Sequence, residues 1–184
     1  MTSLKGHLLV ATPQLMAPIF ARSVILMPEH SDGGAAGVIL NRPTEATVAT
    51  VAEPVFEEPS DWTKPIALGG PVPGPLLFLH AENDLADSEV LPGLFSTTEA
   101  THVKELVRRR AEPSFAVANY AGWAPGQLEA EIERGSWVSL PAKAAHVFWD
   151  AAGDLWTTVI KEYNGRALST LLGIRDVPED PSVN

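Results

Sequence analysis

The sequence contains no cysteine, which excludes disulfides, thiolate metal sites and a cysteine nucleophile. It has no apolar run near the roughly 18 residues that a membrane-spanning helix needs. The apolar start MTSLKGHLLVATPQLMAPIFA is interrupted by Pro13, Gln14 and Pro18, so it lacks the continuous core of a secretory signal. A cytoplasmic protein with no membrane association is expected. Cations are scarce: 13 Lys and Arg stand against 23 Asp and Glu, giving a net charge of −10 and a pI near 4.9. Nucleic-acid binders work by neutralising phosphates, and this balance argues against that class. The one basic cluster, Arg108-Arg109-Arg110, closes an expected helix, where cations also complement the helix dipole. Catalytic signatures are missing too: there is no nucleophile elbow, phosphate-binding loop, dinucleotide fingerprint or zinc-protease motif. The five histidines, at positions 7, 30, 80, 102 and 146, lack metal-ligand spacing, so neither a metal nor a cofactor is expected.

What remains is an ordinary globular composition, 45% hydrophobic and 20% charged over 184 residues, enough for a single core. No repeat, low-complexity tract or linker divides the chain. One domain over residues 1–184 is expected, with a loose tail from about 176.

The most informative stretch is Ser114–Trp137. It reads as a strand over Phe115–Asn119, a turn at Gly122, a helix opened by Pro125 and a stop at Gly135. Upstream, His7–Ala11 and Ser23–Pro28 read as strands joined by an irregular apolar segment with two prolines. HSDGGAA then turns into GVILNRP, so a hairpin is expected with His30 facing Gly37. At ~3.4 Å per residue, that places Asn41 roughly 14 Å from His30, too far for one shared site. Thr47–Phe56 suits a short helix cut or bent by Pro54. An acidic loop leads to a short strand at Ile66–Leu68, the glycine–proline run GGPVPGP, a strand at Leu76–His80, and a second acidic loop at Glu82–Glu89. Val90–Phe95 reads as an edge strand broken by Pro92-Gly93. Ser96–Glu99 has capping-box spacing before a helix over about Thr98–Arg110. After extended VSLPA and the apolar run AAHVFWD, a loop at Asp150–Asp154 precedes a helix over Leu155–Tyr163 that ends near Asn164-Gly165. A last helical turn at Ala167–Leu172 follows.

Three blocks together resemble the AlgH/YqgE family: Gly6–Pro43; LGGPV at Leu68–Val72 with FLH at Phe78–His80; and NYAGWAPGQLEAEI at Asn119–Ile132, continuing to Trp137. The terminal DPSVN also matches. The departure is the proline-rich VPGP after the glycine pair. The resemblance implies an α+β fold in which a bent, partly barrel-like mixed or antiparallel β-sheet is flanked by helices. It brings a transcriptional-regulator label that stems from genetic association, and no agreed activity, cofactor or DNA site.

Candidate binding residues follow from local chemistry. If Pro125 opens the helix, the N–H groups of Gly126, Gln127 and Leu128 face outward as an anion site, with the Gln127 amide and a Trp123 stacking face beside it. The plain alternative has Trp123 packed over Leu128 and Ile132, and Glu129 and Glu131 placed only to suit the helix end. His30, between Glu29 and Asp32, and His80, beside an acidic loop, are either pH-responsive contacts or surface histidines. Arg42, after Asn41, suits a carboxylate or phosphate, or a local acid. Gly70 brings backbone close to a ligand or makes a tight corner. The reading with most support is a non-catalytic module binding a small anion or a protein, with a regulatory role. A DNA-binding regulator and an undiscovered enzyme are the alternatives.

Overall fold

The computed structural model describes residues 3–149 and 153–171. The strands are β1 (His7–Ala11), β2 (Val24–Ser31), β3 (Gly34–Ile39), β4 (Pro43–Thr47), β5 (Pro65–Leu68), β6 (Val72–His80), β7 (Ser88–Leu91), β8 (Leu94–Thr97), β9 (Ser114–Trp123) and β10 (Trp137–Pro141). The helices are α1 (Val48–Phe56), α2 (Ala100–Arg109), α3 (Gln127–Glu133), α4 (Ala144–Val147) and α5 (Leu155–Leu171). The main path of the sheet runs β10-β1-β2-β3-β9-β6-β8-β7, with β4 and β5 attached beside it. Every pairing is antiparallel except β5 with β9, so the curled sheet is mixed, as the α+β expectation required.

The pivot is β9. Its first half pairs with β6 along one edge and β5 along the other, and its last residues pair with β3. The chain leaving β5 must therefore cross over β9 to begin β6. It does so at Gly69-Gly70, where a Cβ on either residue would overlap the backbone of Asn119 or Tyr120. Only glycine permits that approach. Asn119 takes a left-handed conformation at the crossing (φ 65°), and its Oδ1 accepts a hydrogen bond from Gly74 N at 3.2 Å.

The runs HLLVA, VILM and GVIL lack apolar–polar alternation because both faces of β1–β3 are covered. Leu8, Val10, Val24, Leu26, Val38 and Leu40 pack toward α4 and α5. Their sequence neighbours Leu9, Ala11, Ile25, Met27 and Ile39 pack with α3 and the 15–20 segment. A third cluster joins α1 and α2 to Phe78, Ile66 and Ala116.

Several local expectations are corrected. The turn after β2 is tighter than expected: His30 pairs with Ala35 and Ser31 with Gly34, while Gly37 lies at a register shift in the ladder. Asn41 is tied to Val24 at the other end of β2, so it is well separated from His30 along the ladder, as expected, although the register differs. Pro54 does not cut α1. It lies inside the helix, which continues past it to Phe56. Pro73 and Pro75 of GGPVPGP lie inside β6, whose pairing with β9 shifts register between Val72 and Leu76. Pro92-Gly93 is a hairpin turn between two strands rather than a break in one. Ser96 belongs to β8, and the cap of α2 is Glu99, whose side chain accepts from Thr101 N at 2.8 Å and His102 N at 3.1 Å. β9 passes through Gly122 without turning. The helix at the chain's end runs unbroken through Asn164-Gly165. The expected tail from 176 and residues 150–152 of the expected loop lie outside the described residues.

Candidate functional site

The corner between β9 and α3 gathers two indoles, an amide and a carboxylate. Pro125 precedes the helix instead of opening it; Gly126 is the N-cap, in the left-handed region at φ 74°. Gln127 N donates to Ala124 O at 3.0 Å, and Gln127 Oε1 accepts from Ala124 N at 3.1 Å. The amides expected to form an anion cradle are thus partly consumed by the turn itself.

Instead the corner presents a carboxylate. Trp123 Nε1 and Trp137 Nε1 donate to Glu131 Oε2 at 3.0 and 2.8 Å, and Gln127 Nε2 donates to Glu131 Oε1 at 2.9 Å. Burial alone would raise the Glu131 carboxyl. The hydrogen bonds from Trp137, Gln127 and Trp123, with the charge of Arg134, outweigh it and hold the group below its ordinary value. Glu131 is therefore an anion at neutral pH. The indole of Trp137 meets Trp123 edge-to-face at 6.1 Å and Phe20 likewise at 5.7 Å. These rings, with Leu15, Ala17 and Glu131, line a cavity of about 320 Å³. Arg134 is on its lip, with Nε donating back to Ala130 O at 2.8 Å. The packing role expected of Trp123 is also present, since it clusters with Leu128 and Ile132.

His30 is a clasp rather than a surface histidine. Its side chain is 3% exposed. Leu4 N donates to Nδ1 at 2.9 Å, so Nε2 carries the proton and donates to Glu129 Oε1 at 2.8 Å. His30 thereby ties the N-terminal segment, β2 and α3 together. Glu129, expected only to favour the helix end, is its partner.

His80 is fully buried, not on a surface loop. Glu82 N donates to its Nδ1 at 3.2 Å, leaving the proton on Nε2. That atom and Ser114 Oγ, directly opposite on β9, have no hydrogen-bond partner among the described residues. Burial lowers the His80 pKa, against the opposing pull of Glu82, Asp87 and Asp84, so the ring stays neutral.

Asn41 and Arg42 serve the backbone. Asn41 Oδ1 accepts from Val24 N and Nδ2 donates to Arg22 O, both at 2.9 Å. Arg42 Nη2 donates to Ala21 O and Nη1 to Asn41 O at 3.2 Å; partial burial lowers its pKa. Among the described residues the Arg42 guanidinium is held by these backbone carbonyls and not by a local acid. Gly70 is the tight corner of the crossover. His30, Arg42 and His80 do not converge. Of the expected residues, Trp123 and Gln127 share the aromatic cavity, while Asn41 borders a separate, mostly apolar cavity of about 350 Å³.

The basic triplet is neutralised locally. Arg108 pairs with Glu58 at 2.9 Å, Arg109 with Glu105 at 2.8 Å and Asp84 at 2.9 Å, and Arg110 with Asp61. No group of three or more His, Asp or Glu side chains converges on a metal-sized site among the described residues. No described helix is long and apolar enough to cross a membrane.

Sequence reasoning missed the carboxylate at the centre. Glu131 follows Gln127 by four positions, one helical turn, and tryptophans flank it at 123 and 137. That spacing is the signal that points to it.

Comparison with known proteins agrees with the motif blocks. A family model described as AlgH-like matches residues 8–168. A UPF0301 protein of Chlorobaculum tepidum is 35% identical over 186 residues, spanning 97% of this chain and 95% of its own. A UPF0301 protein of Mycobacterium tuberculosis is 37% identical over 163 residues, spanning 85% and 80%. The solution structure of the AlgH protein from Pseudomonas aeruginosa superposes with a TM-score of 0.76 at 30% identity, covering 97% of both chains. A crystal structure of a protein from Corynebacterium diphtheriae gives 0.73 at 26%, covering 88% and 87%.

Proposed function

This chain belongs to the AlgH-like family, and on that premise we propose that it is a binding module with a regulatory role and no chemistry of its own. Its ligand is a small organic cation held at the β9–α3 corner. The observation that carries this reading is the Trp123–Glu131–Trp137 arrangement, an ionised carboxylate beside aromatic walls in a cavity of about 320 Å³. Aromatic faces attract a cation through their quadrupole, by about 0.5–2 kcal/mol each depending on desolvation. The carboxylate supplies the countercharge, and a cavity of this size suits a small molecule. The sign is opposite to the anion expected from the turn, because Glu131 faces the cavity while the turn uses its own amides. The non-catalytic reading draws on the histidines: His30 is spent on Leu4 and Glu129, and His80 is sealed from solvent.

The test is a titration of the protein with choline, followed by amide and indole chemical shifts. Choline should shift the Trp123 and Trp137 indole signals, and its uncharged carbon isostere should not. Glu131→Gln should weaken binding by about tenfold, the loss of roughly one charge-assisted contact. Equal binding of choline and its isostere, or an unchanged affinity in Glu131→Gln, overturns the reading.

A further inference from the structure

The cavity bordered by Asn41 lies on the other flank of the sheet, independent of the aromatic corner. Leu40, Ile66, Ala67, Phe115, Val147, Phe148 and Trp149 make its walls apolar over about 350 Å³. Lys64 and Glu112 also line it. Lys64 Nζ donates to both carboxylate oxygens of Glu112, at 2.8 and 2.7 Å, and Ser114 N donates to Glu112 Oε2 at 3.0 Å. An ammonium and a backbone N–H therefore converge on one carboxylate beside an apolar chamber.

The two partners are not equally committed. The Lys64 side chain is 18% exposed and sits 5.8 Å from the Trp62 ring, whereas Glu112 is 54% exposed. Lys64 is held in place, and removing its counterion would leave a largely buried charge uncompensated. Glu112, more than half exposed, can give way to water when another carboxylate takes its place on Lys64. Its carboxylate shows what the donors accept, and the chamber behind them is apolar, so the geometry also defines what would replace it.

We propose that this cavity is a binding site for a small amphipathic monocarboxylate, with its acid on Lys64 Nζ and Ser114 N and its hydrocarbon or aromatic body among Phe115, Phe148 and Trp149. Glu112 is the built-in competitor. Being tethered, it occupies the niche at high effective concentration and sets the affinity of any free acid. Area burial drives the body inward, and the niche fixes orientation.

The probe is octanoate, titrated by calorimetry into wild-type protein, Glu112→Gln and Lys64→Met, with methyl octanoate as the neutral control. Circular dichroism and a urea transition establish that each variant is folded. Glu112→Gln removes the competing charge, so octanoate should bind it about tenfold more tightly than wild type, and Lys64→Met should lose about tenfold. Methyl octanoate should bind all three weakly and alike. If folded Glu112→Gln binds octanoate no better than wild type, or the ester binds as well as the acid, the assignment is wrong. Should Lys64→Met fail to fold, Lys64→Gln with the acid–ester comparison decides the same question.

Discussion

Replacing Glu131 by leucine isolates what holds the β9–α3 corner. The substitution keeps bulk on α3 but removes the acceptor shared by two indole N–H groups, on tryptophans that are 7% and 2% exposed at positions 123 and 137. A buried donor left without a partner costs about 1–3 kcal/mol, and bonds to a charged acceptor lie toward the upper end. The two donors share one oxygen and are not independent, so the combined loss should be about 2–4 kcal/mol. In a chain of this size that lowers the melting temperature by roughly 4–16 °C. Glu131→Gln retains an acceptor oxygen, so it should cost only about 1 kcal/mol. Both variants also differ from wild type in their pH dependence, because neither carries a titratable group at 131. Glu131 has its pKa lowered in the folded state from an ordinary 4.5, so its stabilisation is complete above that value and is lost as pH falls through the lower folded value. Glu131→Gln should flatten that part of the acid limb. The assay is urea unfolding followed by tryptophan fluorescence at several pH values, with the slope checked for constancy. If leucine costs under about 0.5 kcal/mol, or glutamine costs as much as leucine, the shared carboxylate is not what stabilises the corner.

Four further outcomes are expected. Gly70→Ala places a Cβ into the Tyr120 backbone at the crossover, and should cost about 3 kcal/mol or more by urea unfolding; Gly165→Ala, in the open middle of α5, should instead stabilise by about 0.5–1 kcal/mol. His30→Ala removes the acceptor of Leu4 N and the donor to Glu129, and should cost about 1–3 kcal/mol, with faster hydrogen exchange at Leu4 as the local readout. Fluorescence anisotropy with duplex DNA at physiological salt should show no binding, and Arg108→Ala/Arg109→Ala/Arg110→Ala should change nothing, because each arginine already faces an acid; salt-dependent binding lost in the triple variant would refute this.

Much of the architecture was legible along the chain because its causes are local. The runs at His7–Ala11 and Val24–Met27, the polar glycine turn after them, the amphipathic spacing of α2 and the stop at Gly135 each depend on a few adjacent residues. The motif blocks pointed to the family for the same reason. Even the misplaced boundaries, at Pro54 and Gly122, were errors of a few residues in elements that exist.

The binding chemistry was not legible in this way. From the sequence, Glu131 is a helix-end acid, and only the return of β10 beside α3 brings Trp137 to the oxygen that Trp123 already holds. Lys64 and Glu112 lie 48 positions apart and meet because β5 runs parallel to β9. Gly69-Gly70 read equally well as a ligand loop until the crossover over Asn119 and Tyr120 gave it a structural purpose. Local propensity is set by backbone sterics within a few residues, so one dimension records it. The partner of a charge or an indole is set by which strands the sheet places side by side, and that is decided only when the chain closes on itself.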